Sequence, residues 1–140
     1  MAKAPSRIKP KNTIRGSKFG ITPKQETTDY NKRYPKFSFE HMQPEFCISG
    51  CSAQEKAQVL DSIHKRSQMT WQDIMNSARH KLGTEKISKH SIQSPIPPVF
   101  AAEENFLAIR SIAMAPMVGV RVHSTFYVIW IDRAFTLYKH

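Results

Sequence analysis

The sequence predicts an α+β fold: a single domain over residues 36–140 behind a basic N-terminal tail over residues 1–35. Three observations carry this prediction. Two helix-start signals sit in the middle of the chain, strand-like segments crowd its last third, and the composition changes near Pro35. The expected order is an N-terminal strand, an antiparallel helical hairpin, and a four-stranded, mainly antiparallel sheet. Of the 140 residues, roughly 100 remain for the packed part, enough for one hydrophobic core and too few for a second full domain.

The tail is Lys, Arg, Pro, Gly, Ser and Thr with isolated apolar residues (Ile8, Ile14, Phe19, Ile21). Such a segment cannot bury enough surface to offset the entropy of ordering, so it reads as a flexible arm. Met1 to Pro35 holds 9 Lys and Arg against 2 acids, which leaves 12 against 9 from Lys36 onward, so most of the formal +10 lies in the arm. A concentrated basic arm points to a polyanionic partner. The nucleic-acid contacts expected are Lys3, Arg7, Lys9, Lys11, Arg15, Lys18, Lys32 and Arg33, joined by Lys86 and Lys89 from a later basic loop.

Lys36 to Glu40 alternates polar and apolar after Pro35, the pattern of a short half-buried strand ending near His41. Ser52-Ala53-Gln54-Glu55 has the form of a capping box and predicts a helix from Ala53 to about Arg66. Ala57, Val59, Leu60 and Ile63 make its core stripe, with Lys56, Asp61, Lys65 and Arg66 elsewhere. Thr70 to Asp73 repeats the signal with Asp, and Trp71, Ile74, Met75, Ala78 and Leu82 follow at helical spacing up to Gly83, predicting a second helix over 71–82. The short join between the two helices is what predicts the hairpin.

From Gly83 to Pro98 the prolines predict a loop with one edge strand around Ile87. Four strands then follow, over Phe106–Ile112, Val118–His123, Phe126–Ile131 and Phe135–Tyr138, with the last turn at Asp132-Arg133-Ala134. In the second of these, Val118, Val120 and Val122 face one way and Gly119, Arg121 and His123 the other, which makes the latter face the candidate chemical surface.

Only Cys47 and Cys51 occur, so a secreted disulfide scaffold is not expected and the thiols read as free. With His64 they imitate three ligands of a zinc finger, but the fourth is missing at its place, and neither metal nor other cofactor is expected. No apolar run approaches a spanning helix and no signal-peptide core is visible, so the expected location is cytoplasmic, with no membrane partner. A phosphate-cradling glycine loop and a paired-carboxylate motif are also missing, which removes nucleotide hydrolysis and glycosidase chemistry.

The remaining chemical groups are Arg110, Arg121, His123, Tyr138, Lys139 and His140. A metal-free ribonuclease needs a general base, a general acid and fixed cations, and these residue types supply all three. The same arginines also suit a solvated sheet face. Tyr30, Tyr34 and Phe37 are open to a protein interface, for which no pattern here is diagnostic.

The order of strand, helical hairpin and antiparallel strands, with Met117 to Arg121, Phe126 to Asp132 and Leu137-Tyr138-Lys139-His140 forming the sheet, resembles the RelE/ParE toxin superfamily. The likeness spans residues 36–140. It implies a metal-independent endoribonuclease of toxin type acting on mRNA or ribosome-bound RNA, with Arg110, Arg121, Tyr138, Lys139 and His140 carrying cleavage and an acidic antitoxin as partner. Leu137 to His140 replaces the family's final arginine-aromatic signature, and other members share the fold without nuclease activity. The alternative is a non-enzymatic nucleic-acid or protein binding module that uses the arm.

Overall fold

A computed structural model describes residues 28–78 and 81–140. The elements are β1 (Lys36–Ser38), α1 (Ala53–Ser67), α2 (Trp71–Met75), β2 (Thr84–Ser88), β3 (Asn105–Ile112), β4 (Ala115–Val122) and β5 (Thr125–Ile131), with short 3₁₀ turns between several of them. The fold is α+β, built on one five-stranded mixed sheet in the order β1-β5-β4-β3-β2.

The strands of the last third form as antiparallel neighbours joined by two-residue turns at Ala113-Met114 and His123-Ser124. Ile87 lies in β2, which pairs antiparallel with β3 at one edge. The opposite edge departs from the expected antiparallel pattern, because β1 runs parallel to β5, with Lys36 opposite Thr125.

Gly119 shows why β4 and β5 sit so close. A Cβ there would stand 1.8 Å from the Tyr127 carbonyl oxygen, so no side chain fits.

α1 starts as its sequence dictates: the Ser52 hydroxyl accepts from Glu55 N at 3.1 Å and the Glu55 carboxylate accepts from Ser52 N at 2.8 Å. Its buried stripe differs from expectation. Val59, Ser62 and Arg66 face the core, while Ala57 is exposed and Leu60 is 65% exposed. The helix is rotated so that Ser62 can donate its hydroxyl to the Arg110 carbonyl at 2.7 Å across to β3.

α2 keeps its expected start, with the Thr70 hydroxyl accepting from Asp73 N, but ends at Met75 instead of Leu82. Only Trp71 and Ile74 of its stripe are buried, and burial, more than propensity, extends a short helix. The chain instead turns back so that Gly83 N donates to the Ala78 carbonyl. A helix of five residues does not make the expected helical hairpin.

Both sheet faces are covered. Under the helices lie Val59, Trp71, Ile74, Ile109, Met117, Phe126, Val128 and Ile131. On the other face Ile87, Phe106, Ala108, Val118, Val120, Trp130, Leu137 and Tyr138 pack beneath Phe100 and neighbouring loop residues. Each large apolar side chain so buried contributes on the order of 2 kcal/mol.

The expected last strand, Phe135 to Tyr138, is not a strand. The fully buried Asp132 carboxylate accepts from Thr136 N at 2.8 Å and Leu137 N at 3.1 Å, taking the donors that a ladder would use. Phe135 takes up a left-handed backbone with φ 58°, and Leu137 and Tyr138 fold down onto the sheet.

Candidate nucleic-acid interface

Residues 28–35, assigned to the flexible arm by composition, lie against the domain. The Asp29 carboxylate accepts from Asn31 N at 3.0 Å and opens a turn over Tyr30–Lys32. Trp71 N donates to the Arg33 carbonyl at 2.9 Å. The Ser124 carbonyl accepts from both Lys36 N and Trp71 Nε1, each at 2.9 Å, so one oxygen ties arm root, α2 and the β4–β5 turn together.

Arg121 completes this junction. Its guanidinium sits 4.5 Å above the Trp71 ring, donates through Nε to the His123 carbonyl at 2.8 Å, and through Nη2 to Asn31 Oδ1 at 2.8 Å. Burial pulls its pKa down from the usual guanidinium value, against the charge of Asp29. Arg121 is thus half-buried and held by two hydrogen bonds and the Trp71 ring, not a free surface cation.

The turn it holds presents His123, exposed and in the left-handed region at φ 58°, against the half-buried Tyr30, with ring centroids 4.3 Å apart and the ring planes tilted by 40°. Around this pair Lys32, Arg33 and Lys36 are exposed, and Tyr34 is 58% exposed. An imidazole and a phenol in tilted contact beside three cations offer aromatic surface to bases and positive charge to phosphates.

The other expected catalytic residues lie elsewhere. Arg121 pairs with Phe126 near one end of β4, whereas Arg110 pairs with Pro116 near the other, a separation of roughly 17 Å at the usual strand rise. Arg110 stands 3.6 Å from Glu85. Tyr138, expected at the surface, is in the core, and burial followed by the Glu85 charge pushes its phenol up against the pull of Arg110. His140 Nε2 lies 3.0 Å from Asp132 Oδ2, and its ring is 4.0 Å from that of Tyr138; Lys139 is exposed. Five of the six residues therefore form two groups, Arg121 with His123 and Arg110 with Tyr138 and His140, while the exposed Lys139 joins neither.

Of the expected nucleic-acid contacts, Lys3, Arg7, Lys9, Lys11, Arg15 and Lys18 lie outside the described residues. Lys86 is exposed on β2, and Lys89 donates its ammonium to the Ala101 carbonyl. Cys47, Cys51 and His64 do not converge, and among the described residues no group of three His, Cys, Asp or Glu could hold a metal ion. The Cys47 thiol is pulled down by its hydrogen bonds to Ser49, and burial pushes the Cys51 thiol up. Among the described residues no helix is long and apolar enough to cross a membrane.

Asn31 and Trp71 at this junction carry no such expectation from the sequence, and Tyr30 was open only to a protein interface. The one local signal was Asp29, an Asx cap announcing an ordered turn inside a stretch read as arm. No family model, curated protein or solved structure matches the chain.

Proposed function

We propose that this protein is a nucleic-acid binding module for single strands, with the basic arm supplying charge and the Tyr30–His123 pair supplying a base platform. The observation that carries the reading is the position of that pair: an exposed imidazole against a half-buried phenol, held by Arg121 and Trp71, at the point where the basic segment joins the sheet. Stacking of one base on such a platform is worth about 1–3 kcal/mol, and each phosphate contact adds a salt-dependent increment.

Fluorescence anisotropy with a labelled single-stranded RNA, repeated over a salt series, tests it. The double variant Tyr30→Ala/His123→Ala is expected to lose about tenfold in affinity or more while keeping the salt slope, since the bases lose their platform and the phosphates keep their cations. Wild-type affinity in that variant would sink the proposal.

A second reading, the metal-independent endoribonuclease of toxin type on mRNA or ribosome-bound RNA, is favoured by one observation. His140 is oriented by a buried carboxylate, as general bases often are, with Tyr138 alongside. It predicts RNA cleavage that survives EDTA, with or without ribosomes, and is lost in His140→Ala. An acidic antitoxin-like protein would be the partner of that reading.

A further inference from the structure

Between the last two turns of α1, the Lys81-Leu82 segment and the far end of β3, the surface opens into a cavity of about 270 Å³. Lys65, Arg66, Lys81 and Arg110 line it, with Asp61 the one carboxylate among its described lining residues; Arg110 stands 3.6 Å from Glu85. Gln58, Ser62 and Ser111 add neutral polar groups to its wall.

Arg66 sets its character. The side chain is 1% exposed, and its guanidinium donates through Nε to the Leu82 carbonyl at 3.2 Å, through Nη2 to the Lys81 carbonyl at 3.2 Å, and through Nη1 to the carbonyl and hydroxyl of Ser62. All four acceptors are neutral. Neutral dipoles solvate a buried cation without cancelling its charge, and burial accordingly lowers this guanidinium from its usual value to about 10. Lys65 and Lys81 stand exposed at the rim and add two further charges of the same sign. With Arg110 beside Glu85, the charges of Lys65, Arg66 and Lys81 around one cavity repel one another, and an oxyanion with several acceptor oxygens relieves that repulsion.

We propose that this cavity binds a phosphate-class oxyanion, with Arg66 fixing positive charge at its floor and Lys65 and Lys81 contacting the anion from the rim. The source is either a phosphate of a nucleic-acid strand or free inorganic phosphate. Only the first of these rests on the nucleic-acid reading above; the anion site itself does not.

Amide NMR spectra of the full chain, titrated with inorganic phosphate at constant ionic strength against chloride, provide the test. The expected result is saturable shifts at Ser62, Lys65, Ser111 and Ala113, weakened about tenfold or more in Lys65→Ala/Lys81→Ala. That pair is exposed and leaves the fold intact, whereas Arg66→Ala would remove four structural bonds together with the charge. Shifts no larger than those from chloride, or shifts unchanged in the double variant, would overturn the site. A parallel titration with a short RNA assigns the source. Movement of the same amides points to a strand phosphate, and their silence beside a positive phosphate titration points to the free anion. Neither arm depends on Tyr30 or His123, so loss of base stacking and loss of the anion site are told apart.

Discussion

Asp132 has no exposed surface, yet its carboxylate is satisfied by two backbone N–H groups and one imidazole. Removing it strands Thr136 N and Leu137 N and releases Leu137 and Tyr138 from the sheet. Asp132→Ala is therefore expected to destabilise by about 2–4 kcal/mol, read as a lower urea midpoint. Glu55 is a second carboxylate held by donors, at the start of α1. Hydrogen bonding to Ser52, then Arg133, holds its carboxyl below the usual range. A depressed acid contributes stability above its unfolded pKa, near 4.3, and loses it as pH falls through the lower folded value. The melting temperature is thus expected to drop on acidification below roughly pH 4, and Glu55→Gln to flatten that part of the profile. Arg66 marks what single residues conceal. The helical pattern assigns it to solvent, whereas it is a core residue, because its acceptors at Lys81 and Leu82 come from a loop whose path no local rule specifies.

At the scale of elements, the starts of both helices and the end of α1 were legible, and the end of α2 was not. Ser52-x-x-Glu55 and Thr70-x-x-Asp73 announce α1 and α2 because capping bonds reach only three residues. Thr70→Ala is expected to cost about 1 kcal/mol in urea unfolding. The end of α2 depended on what the tertiary structure would bury, and Met75, at 48% exposed, already looks outward. Strands β3 to β5 were readable from their apolar runs, whereas the segment after Asp132 had strand-like residues but lost its ladder to that carboxylate. Gly119 belongs here too. Gly119→Ala would drive a methyl into the Tyr127 carbonyl, so a loss of at least about 3 kcal/mol is expected, seen as little folded protein in thermal melts.

At the scale of the molecule, the candidate interface was half legible. Its charge could be read from composition, and His123 was among the residues singled out at the end of the expected strand Val118–His123. Its construction could not, because Tyr30, Trp71 and Ser124 meet only through contacts distant in sequence. Deleting residues 1–27 is expected to weaken RNA binding and flatten its salt dependence while leaving the melting temperature near wild type, since the packed turn begins at Asp29. The parallel edge has a consequence in time. Lys36 must find Thr125, so β1 leaves the ribosome long before the strand it pairs with has been made. Closing so long a loop is slow, and α1 and α2 wait with it, since Phe126, Val128 and Ile131 roof the same cluster as Val59, Trp71 and Ile74. Each nascent copy thus passes through a stage of synthesis with its greasiest helix faces uncovered, and its yield in a cell depends on how that interval is chaperoned.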